Sequence, residues 1–235
     1  MFNNISAIYK KELRSYFASP VAYIAIAMFL VIAGYFFFPV FAFYKESTLE
    51  YSLSNLVIVL IFLMPLLSMR LLSEEKKSGT LELLLTRPVR DFEIVIGKYL
   101  SCATVLLVMM LPTLTYGLIL FRYGKPDLYP MILQYGAIFL VGLSFLALGL
   151  FASSLTENQI VAAIIGFTIT LLLWLLTWMT QQLGPDNIIS YFAISSHFED
   201  LNRGVIDAKD VVFYISFIAF WLYMTTRTLD VRRWL

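Results

Sequence analysis

Charged residues along this chain leave six long gaps. No Asp, Glu, Lys or Arg falls in residues 15–44, 51–69, 99–121, 131–156, 158–185 or 211–226, stretches of 30, 19, 23, 26, 28 and 16 residues. A helix crossing a bilayer needs about 17–25 predominantly apolar residues, so the pattern predicts six spans joined by hairpins. The last gap is the shortest. Its helix is expected to extend through Arg227 to residue 229, with the arginine reaching back to the interface. Composition agrees: 60% of the chain is apolar or aromatic and 14% charged, against roughly 45–50% and 25% in soluble domains. Seventeen basic and sixteen acidic residues are too few to coat a water-soluble globule of this length. The fold class read here is an all-α integral membrane protein forming one transmembrane domain over residues 1–235.

Residues 3–19 follow a different period. At 100° per residue, Ile5, Ile8, Tyr9, Leu13 and Tyr16 share one face, while Lys10, Lys11 and Arg14 share the other. That predicts an amphipathic interfacial helix with its basic side toward lipid headgroups. Glu12 breaks the pattern by projecting from the apolar face. A carboxylate there is costly unless paired, which leaves two readings: it reaches water at the helix edge, or it bridges to the long polar loop at 70–98. The apolar run that follows is too long for the core of a cleavable leader.

The basic residues set an orientation. Lys10, Lys11, Arg14, Arg70, Lys76, Lys77, Arg87, Arg90, Lys98, Arg227, Arg232 and Arg233 fall on one side of the predicted hairpins, twelve in all. Lys45, Arg122, Lys125, Arg203 and Lys209, five in all, fall on the other. Positive excess marks the cytoplasmic face, so both termini are expected inside the cell.

Several chemistries drop out. A net charge of +1 offers no basic surface for nucleic acid. The single cysteine, Cys102, excludes a disulfide framework, and the single His197 excludes a two-histidine ligand pair, so no metal site is expected. No ionisable group lies well inside a gap, where proton-coupled carriers place them. Sodium coupling through backbone carbonyls stays open. A phosphate-binding loop is also missing from the sequence: Gly97-Lys98 and Gly124-Lys125 lack both the upstream glycine and the following Ser or Thr. Uphill work would draw its energy from a partner.

The loop at 70–98 has its own punctuation. A polar turn around Glu74 to Ser78 ends at Gly79, a helix-stop residue. Thr80 is placed to cap a short helix over residues 81–86, with Glu82 in its first turn, where the helix dipole favours an anion. Pro88 ends that helix, and Asp91 is placed to cap the next. Leu81, Leu84 and Leu85 would lie on one side of the short helix. An ordinary amphipathic connector and a docking element fit these features equally.

The loop resembles a known family. Glu75, Gly79, Thr80, Glu82, Leu84, Leu85, Thr86 and Pro88 are similar to the E-x-x-x-G-T-x-E-x-L-L-[ST]-x-P pattern of type-two ABC exporter permeases. Lys11-Glu12, the turn at 154–159 (Ser-Leu-Thr-Glu-Asn-Gln), and His197-Phe198 through Arg203-Gly204 extend the likeness over most of the chain. It is nearest to permeases of the gliding-motility and copper-site-maturation type. Ser195-Ser196 departs from the Ser-Pro of that pattern.

The resemblance implies a multi-pass protein of the bacterial inner membrane that binds no cofactor itself. Two copies of a cytoplasmic ABC ATPase would carry ATP and Mg, and a second permease, identical or homologous, would share the path. It also implies that the loop, Glu74 included, holds a coupling helix seated in the ATPase, with Leu81 and Leu85 filling its cleft. Residues 186–210 would dip back as a re-entrant element over the exit.

Other classes are weaker. A membrane anchor that only transmits force to an envelope complex would use the same loop. An intramembrane serine protease would need Ser144 and His197 together, yet Ser144 lacks the following glycine of rhomboid-type enzymes and His197 falls in an outer segment. A passive channel would need rings of charge that the sequence does not contain. Aromatics such as Phe36, Phe37, Phe38, Trp174, Trp178 and Trp221 suit lipid contact and an apolar cargo path alike.

Overall fold

The structure is a computed structural model that describes residues 2–44, 48–85, 89–124, 126–183 and 193–233. Every regular element among them is helical. Six helical runs are long and apolar enough to cross a membrane: Pro20–Ala42, Glu50–Lys77, Asp91–Tyr123, Leu128–Leu155, Gln159–Leu176 and Ala208–Val231. Each falls on one of the predicted gaps. The sixth run continues past Arg227, as expected.

A helix α1 (Phe2–Ala18) precedes the first run, which comprises α2 (Pro20–Pro39) and a π-helical turn, Val40–Tyr44. The second run is α3 (Glu50–Ser68) followed by α4 (Arg70–Lys77), after which comes the short α5 (Thr80–Leu85). The third divides into α6 (Asp91–Met110), a 3-10 turn at Leu111–Thr113, and α7 (Leu114–Tyr123). The remainder are α8 (Leu128–Leu155), α9 (Gln159–Leu183), α10 (Ile194–Asn202) and α11 (Ala208–Arg233).

Burial separates the centre from the rim. The apolar stretches of the second, third and fourth runs are 67%, 67% and 72% buried, against 17% for the fifth and sixth. The α2 helix buries a single stripe, Ala22, Ala25, Phe29, Ala33 and Phe37, recurring every three or four residues. Its other faces expose Ile24, Val31 and Tyr35. In water those positions would be unfavourable, and in hydrocarbon they are not.

Two prolines interrupt the spans where helices approach closely. Pro112 has no N–H to give its helix, and the chain passes through the 3-10 turn there. The Tyr135 hydroxyl of α8 donates to the Thr113 carbonyl at 2.6 Å across that break. Pro65 sits in α3 where α8 and α9 come nearest. A Cβ on Gly149 would collide with the Ser68 side chain, and one on Gly166 would lie 3.1 Å from Pro65 Cβ.

Candidate functional site

The features singled out in the loop and in the first helix meet at one end of the bundle. The α4 helix continues α3 beyond Met69 and buries Leu71, Leu72 and Ser73, so residues 74–77, expected in a turn, are its last helical residues. Its last turn carries Lys76 and Lys77, where cations complement the helix dipole. Gly79 ends it with φ +70°, a left-handed conformation that suits glycine. Thr80 is the first residue inside α5 and not its cap, and its hydroxyl turns back, 2.8 Å from Ser78 Oγ and donating to the Glu75 carbonyl at 3.4 Å. Asp91 is the first residue inside α6 and not its cap. Arg90 takes the cap position and gives its N–H to Glu93 Oε2 at 3.1 Å.

The α1 helix runs alongside α6. Gly97 allows the approach, because a Cβ there would sit 2.9 Å from Ile8 Cβ. Asn4 Nδ2 donates to Glu93 Oε2 at 3.1 Å, and the hydroxyls of Tyr9 and Thr104 lie 3.1 Å apart. Tyr16 is fully buried and donates to the Leu67 carbonyl of α3 at 2.7 Å. The Arg70 guanidinium lies 4.8 Å over the Tyr16 ring and donates to Ser19 Oγ, bracing the joint into α2. The inner face of α1 is therefore covered by protein, and Lys10 and Arg14 are exposed on its other side.

This approach places Glu12 on Lys98. Lys98 Nζ lies 2.9 Å from Glu12 Oε1 and 2.9 Å from Glu75 Oε2, with only 1% of its side chain exposed. Lys11 Nζ closes the group from the water side, 2.8 Å from Glu75 Oε1 and 3.5 Å from Glu12 Oε1. Two cations and two anions from α1, α4 and α6 thus form one neutral cluster. Burying such charges costs several kcal/mol per ion, roughly offset by good pairing, so its worth lies in fixing positions. Partial burial works to lower the Lys11 ammonium, but its hydrogen bond to Glu75 and the nearby carboxylate charges outweigh this and raise it.

The second reading of Glu12 is the one the structure shows: it bridges to the end of the loop. In the sequence Lys98 stands out as one of the basic residues that set orientation and as half of a Gly-Lys pair. Its partner role has no local signal, because Glu12 and Lys98 are 86 residues apart.

The remaining loop residues divide by exposure. Glu74, Gly79, Thr80 and Glu82 are exposed, Glu75 and Leu84 half-buried. Leu81 is 2% exposed and packs in this chain's own core. This corrects the expectation that it fills a partner's cleft: α5 is too short to hold against α4 without an apolar anchor. The Leu85 side chain, Thr86 and Pro88 lie outside the described residues.

At the opposite end, α10 packs against α8, α9 and α11. His197 Nδ1 lies 2.6 Å from Asp210 Oδ1, and the ring stacks on Phe213 with centroids 4.1 Å apart. Phe198 is buried beside Trp174. Arg203 is exposed, 3.8 Å from Glu199. Gly204 turns the chain with φ +84° against Pro130. Ser196, where a proline was expected, uses its N–H on the Ala193 carbonyl. The first part of the 186–210 segment lies outside the described residues. Among the described residues, no group of three or more His, Cys, Asp or Glu could hold a metal.

A family model for ABC-2 family transporter proteins matches residues 6–222. The chain belongs to the ABC-2 transporter family. Comparison with curated proteins returns no match. The matched stretch runs from α1 into α11, so the four-charge cluster and the His197–Asp210 pair both lie inside it. As an ABC-2 permease the chain is a multi-pass membrane component without an ATPase site of its own, and its family works in general with a cytoplasmic ABC ATPase.

Proposed function

We propose that this chain is the permease subunit of an ATP-driven exporter in a bacterial inner membrane. In this reading α4 and α5 take up force from a separate ATPase that binds ATP and Mg, two copies serving two permeases. The observation that carries it is the charged cluster of buried Glu12 and Lys98 and half-buried Glu75, closed from the water side by Lys11. A shift of α4 cannot leave Glu75 behind, and Glu75 is tied to α1 and to the start of the third span. Displacement at the exposed Glu82 is thereby transmitted to α6 without passing through a flexible loop. Lys10 and Arg14, exposed on α1, would meet anionic headgroups and hold that helix at the cytoplasmic surface. The α10 helix, with His197, Phe198, Arg203 and Gly204, would cover the exit.

The test is affinity purification of the chain from its native membrane. An ATP-hydrolysing subunit and a second permease copy are expected in the eluate. Glu82→Lys should leave the permease folded and weaken the link between ATP turnover and movement of the bundle. Purification without any nucleotide-hydrolysing subunit would contradict the reading.

A further inference from the structure

The joint between α3 and α4 contains an inserted side chain. In a regular helix the N–H of Leu72 and of Ser73 would bond to the carbonyls four residues earlier, at Ser68 and Met69. Here both amides donate to one atom from another helix, Ser153 Oγ of α8, at 3.1 and 3.0 Å. Ser153 in turn donates its hydroxyl hydrogen to the Met69 carbonyl at 2.6 Å. One hydroxyl thus sits against the ladder between Met69 and Ser73, and a side chain inserted there is a known cause of helix bending.

We infer that Ser153 is a removable pin that holds α4 at an angle to α3, and that its withdrawal straightens the joint and swings α4. The two amides have an acceptor in either state. With the pin in place, the geometry is the one described. With the pin withdrawn, Leu72 and Ser73 rejoin the ladder on Ser68 and Met69. Ser153 can then bond to the Gly149 carbonyl of its own helix, a common habit of helical serines. The switch exchanges one set of bonds for another: the Leu72 and Ser73 amides keep an acceptor in both positions, and the Ser68 carbonyl gains the Leu72 N–H when the pin withdraws.

The surroundings fit a moving part. Pro65 withholds an N–H one turn earlier, and Gly149 lets α8 close on that turn. Ser154, next along, is already held by both neighbours. Lys76 of α4 donates to its carbonyl, and Thr228 of α11 to its hydroxyl at 2.8 Å. The pin is therefore positioned by α8 and α11, and its effect is felt by α4 and α5. From Met69 to Lys77 is about 12 Å of helix. Changing a kink of about 20° moves that end by about 4 Å.

The inference rests on the reading of α4 and α5 as the driven segment only for its significance; the joint itself can be tested without an ATPase. Spin labels at two exposed sites, Lys77→Cys on α4 and Ile160→Cys on α9, report the swing by pulsed electron resonance on the permease in bilayer discs. Cys102 is buried and stays unlabelled. Ser153→Ala is expected to shift the label distance by about 4 Å or to add a second population so displaced. Ser153→Thr, which keeps the hydroxyl, is expected to retain the wild-type distance. If alanine prevents folding, Ser153→Gly repeats that arm. Identical distributions in wild type and a folded hydroxyl-less variant would overturn the inference, as would an equal shift in the threonine variant.

Discussion

Replacing Lys98 with methionine is the most informative single change to the charged cluster. The side chain keeps its length and loses its charge, so packing against α1 is nearly conserved. What remains is Glu12 and Glu75, each 12% exposed, sharing only Lys11. Removing one partner from a buried ion pair costs about 3–5 kcal/mol. Lys11 stays within 2.8 Å of Glu75, but it is 64% exposed and water-screened, so it recovers only part of the loss. The lower end, about 3 kcal/mol, is the expected cost. For a chain of this size about 1 kcal/mol corresponds to roughly 2–4 °C in Tm, so thermal unfolding in detergent should fall by about 6–12 °C. Changing Glu12, Glu75 and Lys98 together to leucine, leucine and methionine should restore most of that stability, because an apolar replacement strands no charge. The same triple variant should lose the mechanical link between α4 and α6. A Lys98→Met protein that melts within a degree of wild type would refute the claim that the cluster is a buried, interdependent unit.

Three further outcomes are expected. Gly149→Ala forces a methyl group into Ser68 and against Pro65 Cα at 3.3 Å, which should cost about 1–3 kcal/mol by overpacking; chemical denaturation of the purified permease measures it. Asp210→Ala removes the partner of His197 at 2.6 Å and should cost about 1.5–3 kcal/mol, with amide exchange rising first in α10. Lys11 is raised above its ordinary 10.5 by its carboxylates. A raised base contributes stability that is complete below its unfolded value and is lost as pH climbs through the folded one. The Tm gap between wild type and Lys11→Met should therefore be constant from pH 7 to pH 9 and close only above about pH 10.5.

The six spans were legible because they depend on a one-dimensional quantity, the spacing of charges, which bilayer thickness reads directly. The end of α4 was legible too, since Gly79 takes the left-handed conformation that suits glycine. Glu12 announced that it needed a partner, through its position on an apolar face, and the loop named for it does contain Lys98. Other features carry no linear trace. Ser153 looks like any small residue at the end of a span, yet it bonds two amides about eighty residues away. Leu81 lies on the apolar side of a short helix, and the core it rests on is built from residues distant in sequence. Asp91 has the right chemistry for a cap, but Arg90 gains the position through Glu93.

The central claim is that α4 and α5 face the cytoplasm and seat in a nucleotide-hydrolysing subunit. A photo-crosslinking residue at Glu82, exposed at the start of α5, tests both parts at once in native membranes. The account predicts one dominant adduct, whose added mass is a protein with an ATP-binding domain, formed from the cytoplasmic side. Adducts only with periplasmic proteins or with lipid, in membranes where the intact complex is present, would contradict it.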